Sequence, residues 1–179
     1  MNEINLKDKT FEIFIPETEI SEIIHSIANA INNSGIKDPL FIAVMNGAFL
    51  FAADVMREIT IANTEISFIK LSSYSGTETT GEVSELIGIG DNISGRNIVV
   101  LEDIVDTGIT LEKIITLLEK ENVADIKVAT LLFKPNAYTK DIHIDFIGKS
   151  IPNNFAVGYG LDYDEVGRNL PHIYKLKNE

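Results

Sequence analysis

A short apolar run is followed directly by a segment that contains three carboxylates, a glycine and two hydroxyls within nine residues. The run covers residues 98–101 (Ile-Val-Val-Leu), and a helical pattern starts at Leu111. A continuous apolar run is typical of a buried strand, and ligands of open α/β sheets bind beyond the carboxyl ends of the strands. The polar set between strand and helix consists of Glu102, Asp103, Asp106, Thr107, Gly108 and Thr110. This set is too polar for simple packing, so the segment predicts a binding or catalytic site.

The residue types in this segment fit a ribose 5-phosphate. Where the strand ends, Glu102 and Asp103 can accept hydrogen bonds from neighbouring sugar hydroxyls or approach a hard cation such as Mg²⁺. Asp106 follows a turn later, at the floor of the predicted pocket. Residues 107–110 place backbone N–H groups and two hydroxyls just before a helix N-terminus, which favours phosphate. The alternative is a solvated strand-to-helix turn with an Asp/Thr cap.

Hydrophobic periodicity predicts an α/β protein around this segment. Apolar residues spaced for one helix face run from Ile20 to Ile31, and Gly35 follows as a usual helix-ending residue. The other predicted elements are strand 40–45, helix 48–59, a strand from 66 to about 74, a short strand 86–89, strand 97–101, helix 111–118 and strand 126–133. This order predicts a largely parallel sheet flanked by helices. After Pro135 the pattern becomes irregular, which indicates an appended lobe.

Composition argues against several classes of protein. The formal net charge is −12 and the 15 Lys and Arg residues form no run, so nucleic acid is not the expected partner. The absence of cysteine excludes disulfides and thiolate metal sites. No apolar stretch approaches the roughly 18 residues of a membrane span, and the first ten residues lack the apolar core of a signal peptide. We therefore expect a cytoplasmic protein without a membrane partner.

Two familiar motifs are incomplete in this chain, and a third is absent. Residues 148–150 (Gly-Lys-Ser) resemble the end of a P-loop, but His143 stands where that motif needs its first glycine. Gly88 and Gly90 lack the third glycine of a dinucleotide motif, because Ile93 occupies that position. The serine-hydrolase pattern G-x-S-x-G is absent. These chemistries are therefore not expected.

A long polar segment, residues 72–82, contains one aromatic residue and no aliphatic one. One interpretation is a plain solvent loop. The other is a mobile lid in which Tyr74 covers a bound ligand, since long polar loops inside compact domains often act as lids.

The segment 102–110 resembles the phosphoribosyl-diphosphate motif of type I phosphoribosyltransferases. Its form Glu-Asp-Ile-Val-Asp-Thr-Gly is particularly similar to that of the 6-oxopurine members, the hypoxanthine or hypoxanthine-guanine phosphoribosyltransferases. Other matches follow in order: 44–48 (VMNGA) with the family's diphosphate loop, 72–74 (SSY) with its lid, 132–134 (LFK) with its purine-lysine strand, and 155–163 (FAVGYGLDY) with its C-terminal purine-binding segment. Several ordered matches are far more specific than any one of them.

The resemblance implies the α/β fold of type I phosphoribosyltransferases in a single domain of residues 1–179. A core of about 17–135 would hold the largely parallel central sheet and its flanking helices. A small hood lobe would come from the C-terminal and N-terminal segments, about 136–179 and 1–16. The resemblance also suggests a homodimer or homotetramer.

The implied activity is purine salvage: transfer of the phosphoribosyl group of 5-phosphoribosyl 1-diphosphate to N9 of a 6-oxopurine. Hypoxanthine would give IMP, guanine would give GMP, diphosphate would be released, and Mg²⁺ would be the cofactor. Asp106 is the implied general base facing purine N7, and Gly47 and Arg168 are implied to take the diphosphate. The implied ribose and 5-phosphate ligands are Glu102, Asp103, Thr107, Gly108, Ile109 and Thr110. The implied purine-binding residues are Lys134, Phe155, Ala156 and Asp162. The lid would be formed by Ser73 and Tyr74. The implied Mg²⁺ ligands are Glu102, Asp103 and Asp162.

One departure and several alternatives stay open. Some relatives carry lysine in place of Asn46, so a diphosphate contact of the Asn46 side chain is in question. A nucleotide-binding regulator of RNA with the same fold is disfavoured by the −12 net charge. A nucleotide-binding module without catalysis leaves the joint presence of Asp106 and Lys134 unexplained. The preference among hypoxanthine, guanine and xanthine is not determined by the sequence.

Overall fold

The computed structural model describes residues 2–72, 84–87 and 93–177. The helices of this part are α1 (Glu17–Asn32), α2 (Phe49–Glu58) and α3 (Ile109–Lys120). The strands are β1 (Glu3–Leu6), β2 (Lys9–Ile15), β3 (Leu40–Val44), β4 (Glu65–Ser72), β5 (Ser84–Ile87), β6 (Asn97–Val105), β7 (Asp125–Phe133), β8 (Phe146–Ser150), β9 (Ala156–Val157) and β10 (Ile173–Leu176). From α1 to β7 the helices and strands follow the order that the hydrophobic pattern predicts, whereas β1, β2, β8, β9 and β10 were not predicted.

A parallel sheet forms the core of the molecule. Its strand order is β5-β4-β3-β6-β7-β8, in which β4, β3, β6, β7 and β8 are parallel and β5 pairs antiparallel with β4 at one edge. Helices α1 and α2 pack on one face of the sheet and α3 packs on the other. Burial on both faces explains why the central strands read as continuous apolar runs. The predicted largely parallel sheet flanked by helices is confirmed.

The hood lobe is a separate antiparallel sheet with the order β1-β2-β10-β9. Strands β1 and β2 form an N-terminal hairpin, and β10 from the C-terminal part of the chain pairs with β2. The two ends of the chain therefore meet in one small sheet, as expected for a hood built from both terminal segments.

The expected division between core and hood at residue 135 differs from the strand pairing. Strand β8 lies in the segment assigned to the hood, yet it pairs in parallel with β7 as the last strand of the large sheet. Its sequence pattern is weak because Gly148 must fit closely against Ile23 and Ile27 of α1, and a Cβ at this position would overlap both. A strand with glycine at its inward position lacks the apolar alternation by which strands are identified.

Smaller differences concern the ends of elements. Strand β5 begins two residues before the predicted short strand, and residues 88–89 lie outside the described part of the chain. Most of the polar segment 72–82 also lies outside it, so the choice between a plain loop and a lid stays open. None of the helices in the described ranges is long and apolar enough to cross a membrane.

Candidate active site

Strand β6 carries the two adjacent acids, and it continues beyond the predicted end at residue 101. Its pairing with β3 ends at Leu101, opposite Ala43, whereas its pairing with β7 continues to Val105. Glu102 and Asp103 therefore lie within the strand rather than after it. The prediction that the strand ends at residue 101 was wrong for its pairing with β7 and correct for its pairing with β3. Past Leu101 the edge of β6 that faced β3 is open to other groups.

Glu102 is a buried acid with an unsatisfied oxygen. Its exposed fraction is 6%, and Oε2 has no hydrogen-bond partner among the described residues. Burial, followed by repulsion from Asp103, raises the pKa of Glu102 well above its ordinary value. Leaving a buried polar atom unpaired is costly, so a bound group that donates to it would be stabilised.

The turn after β6 forms a small cavity beside Glu102. The cavity of about 80 Å³ is lined by Glu102 and residues 104–111. Gly108 lies at its rim with φ +83°, and a Cβ there would overlap the side chains of Tyr138 and Lys140. Helix α3 begins at the next residue, so its first N–H groups open onto the turn, where Thr107 and Thr110 are exposed. A helix N-terminus of this kind suits a phosphate.

Asp103 faces a different neighbourhood, the turn of residues 45–48 between β3 and α2. We call this the β3–α2 turn. A Cβ on Gly47 would overlap the Asp103 carboxylate, so the absence of a side chain at Gly47 lets the two segments touch. One carboxylate oxygen, Oδ1, accepts a hydrogen bond from the Ile104 N–H at 2.9 Å. Burial raises the pKa of Asp103 to about 6, although this hydrogen bond and the nearby Arg168 act in the opposite direction.

Arg168 organises the hood side of the same corner. Its guanidinium donates to the Gly160 carbonyl at 2.8 Å and pairs with Asp162 Oδ1 at 2.6 Å. Gly160 in turn packs against the carbonyl of Gly47, where a Cβ would overlap that oxygen. The structure thus brings Gly47, Asp103, Asp162 and Arg168 to one corner, although they come from distant parts of the sequence.

The predicted base and the predicted purine lysine are ion-paired with each other. Lys134 Nζ lies 2.8 Å from Asp106 Oδ2, and the Lys134 backbone N–H donates to the Val105 carbonyl at 3.0 Å. The lysine is 7% exposed, whereas the side chain of Asp106 is 43% exposed. A buried ammonium is tolerable here because a carboxylate compensates its charge. Lys134 directly follows β7, and Asp106 directly follows β6.

The predicted stacking residue lies in the hood. Phe155 is 38% exposed, and its ring centroid lies 6.3 Å from that of Phe11 and 5.9 Å from that of Tyr163. Ala156, the next residue, begins β9 and is buried. An aromatic ring held by two others and still partly exposed is a suitable platform for a flat ring.

The three predicted metal ligands do not form one cluster. In the described ranges, no group of three or more His, Asp or Glu side chains is arranged to hold a metal ion. Glu102 lines the cavity beside the turn, whereas Asp103 and Asp162 lie at the corner with Arg168. Two carboxylates are still compatible with Mg²⁺, which usually keeps several waters and completes its coordination with substrate phosphates.

Some contacts of the site were missed by the sequence analysis. Tyr159 donates a hydrogen bond to Asp54 of α2, and Lys70 donates to Asn46 Oδ1 at 3.2 Å. Tyr159 stands inside the recognised 155–163 segment, but no local pattern identifies its partner. The predicted lid residues Ser73 and Tyr74 lie outside the described residues.

Comparison with known proteins shows to which family this chain belongs. A model of the phosphoribosyl transferase domain matches residues 15–164. The chain belongs to the phosphoribosyl transferase family, and the type I fold expected from the resemblance is confirmed.

Similar members of that family are named hypoxanthine-guanine or hypoxanthine phosphoribosyltransferases. A hypoxanthine-guanine phosphoribosyltransferase of Staphylococcus epidermidis is 40% identical over 169 residues, covering 93% of this chain and 94% of the relative. A crystal structure of a hypoxanthine phosphoribosyltransferase from Staphylococcus aureus aligns with TM-score 0.84 and 37% identity, covering 93% of this chain and 91% of that one. The hypoxanthine phosphoribosyltransferase of Trypanosoma cruzi aligns with TM-score 0.83 and 31% identity, covering 97% and 95%.

Proposed function

We propose that the protein transfers the phosphoribosyl group of 5-phosphoribosyl 1-diphosphate to N9 of hypoxanthine and of guanine. The products are IMP or GMP and diphosphate, and the role is purine salvage. The observation that carries this proposal is the contact between Lys134 and Asp106 at 2.8 Å, beside the phosphate-binding turn. The names of the similar relatives point to the same reaction.

The Lys134–Asp106 pair matches one edge of a 6-oxopurine. N7 and O6 are neighbours on that edge, and O6 is an acceptor, whereas adenine presents an amino donor there. Lys134 donates a charge-assisted hydrogen bond to O6, which adenine cannot accept. Asp106 takes the N7 side, where it accepts the proton that the ring carries there. The ring loses this proton as N9 attacks, so the incoming base is not left with a positive charge.

The remaining residues stabilise the sugar during transfer. The bond from the anomeric carbon to the diphosphate oxygen breaks as the bond to N9 forms, and positive charge develops on the sugar. A carboxylate near that charge binds the transition state more strongly than the ground state, and Glu102 and Asp103 are the acids proposed to lie beside the sugar. The turn of residues 107–110 fixes the 5-phosphate and thereby orients the ring.

The leaving diphosphate belongs to the corner that contains Gly47 and Arg168. The bare backbone at Gly47 allows close approach, and Arg168 provides a fixed positive charge. When bound with the substrate, Mg²⁺ would supply further charge neutralisation of the leaving group. Asp103 and Asp162 are the residues that would hold it, and Glu102, which we also expected as a ligand, lines the neighbouring cavity.

We also propose a homo-oligomer, a dimer or tetramer. Ile66 and Phe68 lie on one face of β4 and Phe49 begins α2, and each of these apolar residues is more than a third exposed. For the relative from Trypanosoma cruzi, the C-terminal region is described as having a role in the oligomeric state. Light scattering during gel filtration tests the state. The cytoplasmic location and the absence of a nucleic-acid partner stay predictions.

One assay tests the proposed reaction. Purified protein is mixed with Mg²⁺, 5-phosphoribosyl 1-diphosphate and hypoxanthine, and IMP is measured by chromatography. We expect IMP with hypoxanthine, GMP with guanine, and no AMP with adenine in a parallel tube. Absence of both IMP and GMP at micromolar enzyme would refute the proposal. Comparing kcat/KM for hypoxanthine, guanine and xanthine then gives the preference that the sequence leaves open.

A further inference from the structure

Tyr159 connects the segment that follows the hood strand β9 with a helix of the other lobe. Its backbone N–H donates to the Leu170 carbonyl at 2.9 Å, and its φ of +49° is unusual for a residue with a side chain. The ring is 7% exposed and belongs to the same buried cluster as Phe51 and Val55 of α2. The hydroxyl donates a hydrogen bond to Asp54 Oδ2 of α2 at 2.5 Å. A residue of the purine-binding segment is thus anchored in the core.

The residue after Tyr159 touches the β3–α2 turn. Gly160 packs directly on the carbonyl of Gly47, and the Gly160 carbonyl accepts a hydrogen bond from Arg168. Tyr159 and Gly160 therefore make two consecutive contacts, one with α2 and one with the turn that precedes α2. Two contacts from neighbouring residues to one turn–helix unit fix both the distance and the orientation between the segments.

The hydroxyl of Tyr159 is a permanent donor. Burial, followed by the hydrogen bond to Asp54, raises the pKa of Tyr159 far above its ordinary value, so the group stays protonated in any practical assay. A hydrogen bond to a charged acceptor is stronger than one between neutral groups. The link is therefore present before substrate binds.

We propose that Tyr159 is a positioning residue, which holds the purine-binding segment and the β3–α2 turn at a fixed separation through its hydrogen bond to Asp54. The inference rests on the proposed function, because it assigns diphosphate to the turn at Gly47 and purine to the segment around Phe155. Tyr159 acts through Gly160 and Gly47. A small displacement of reacting groups has a large effect on rate, so a fixed separation matters for transfer.

The test compares wild type with Tyr159→Phe, Asp54→Ala and the double variant. Tyr159→Phe removes one oxygen and keeps the buried ring. We expect each single variant to raise the KM for 5-phosphoribosyl 1-diphosphate about tenfold, the lower range for a hydrogen bond to a charged group. The KM for hypoxanthine should change less, because Lys134 and Phe155 are untouched. The double variant should show no larger loss than the single ones, since both remove the same link.

A matched control is available in the same segment. Tyr163 donates to Asp8 Oδ1 at 2.7 Å, which is also a tyrosine–aspartate hydrogen bond, but Asp8 lies between β1 and β2 of the hood. Asp8→Ala should therefore leave the KM for 5-phosphoribosyl 1-diphosphate unchanged. Thermal unfolding of every variant separates lost stability from lost positioning.

The possible results distinguish failure of this inference from failure of the proposed function. Wild-type KM values in folded Tyr159→Phe and Asp54→Ala would overturn the inference while the proposed function stands. Equal changes in Asp8→Ala would overturn it as well, because the effect would then be general to the hood. If Tyr159→Phe fails to fold, Asp54→Ala alone carries the comparison, because it removes the acceptor and leaves the tyrosine ring in place. A wild-type protein that makes neither IMP nor GMP would refute the proposed function and the inference with it.

Discussion

The proposed phosphate-binding turn and the proposed diphosphate-binding corner at Gly47 and Arg168 are built in opposite ways. Residues 102–110 are contiguous, and the turn is shaped by the end of β6, by Gly108 and by the start of α3. The corner at Gly47 combines three distant segments that meet only because two glycines lack side chains. A contiguous site depends mainly on its own residues, whereas an assembled site also depends on every contact that holds its segments together. Substitutions in the turn should therefore act through the altered residue itself, whereas substitutions at the corner should act by displacing its segments.

The largest effect is expected from Asp106→Asn in the contiguous part. The amide cannot accept the purine proton, so kcat should fall about 10²–10⁴-fold, the usual contribution of general-base catalysis. Binding of 5-phosphoribosyl 1-diphosphate should persist, because its phosphate turn is unchanged. Steady-state kinetics and titration calorimetry measure the two quantities. Asp125→Asn, at the opposite end of β7, serves as the control; near-normal turnover of Asp106→Asn would remove Asp106 from the base role.

Gly47→Ala tests the assembled corner. The added methyl group would overlap the Asp103 carboxylate, and a displacement of about 1 Å can lower the rate about 10²-fold. We expect this loss mainly in kcat/KM for 5-phosphoribosyl 1-diphosphate. Gly35→Ala is the control, since Gly35 has φ +79° with no atom near its Cβ position. That variant should lose about 1 kcal/mol of stability and keep its kinetics. A fully active Gly47→Ala would contradict the close packing.

Lys134→Ala distinguishes base recognition from catalysis. Loss of a charge-assisted hydrogen bond should lower kcat/KM for hypoxanthine about 10–100-fold and reduce the discrimination against adenine. Parallel assays with hypoxanthine and adenine give the ratio. Lys127→Ala removes a lysine near the start of β7, the strand that Lys134 follows; Lys127 pairs with Asp145, and its loss should leave that ratio unchanged. Unchanged purine kinetics in Lys134→Ala would refute its assignment.

The smallest effect concerns stability and pH. Burial raises the pKa of Asp103 from 3.8 to about 6, so between these values the folded protein binds more protons than the unfolded chain. The protonated carboxyl is thus the better tolerated form, and stability should fall as pH rises from about 4 through 6. Asp103→Asn should therefore raise the Tm at pH 7 by about 2–4 °C, equivalent to ~1 kcal/mol in a chain of this length.

The measurement is thermal unfolding of both proteins between pH 4 and 7. The Tm advantage of Asp103→Asn should shrink towards pH 4, and activity of the variant should be reduced at every pH. A Tm difference that is independent of pH would show that the buried charge is not its source.

Much of the fold could be predicted because its signals are local. The helical spacing of its isoleucines identifies α1, and its continuous apolar run identifies β6. Strand β8 was missed because Gly148 replaces an apolar residue where the strand meets α1. The end of β6 was placed too early because the acids Glu102 and Asp103 interrupt the apolar run, while pairing with β7 continues to Val105. Polar residues at a functional site interrupt the apolar pattern, so the full length of the strand that carries them is not recognised from the sequence.

By itself, the sequence determined the identity of the chemical groups and their order along the chain. The carboxylates, the turn glycine and the hydroxyls lie within a few residues of each other, so their proximity follows from chain connectivity. Only the tertiary structure decided that Lys134 pairs with Asp106, that Gly47 meets Asp103 and Gly160, and that Tyr159 reaches Asp54. Such contacts depend on the packing of distant segments, whose distances no local pattern encodes.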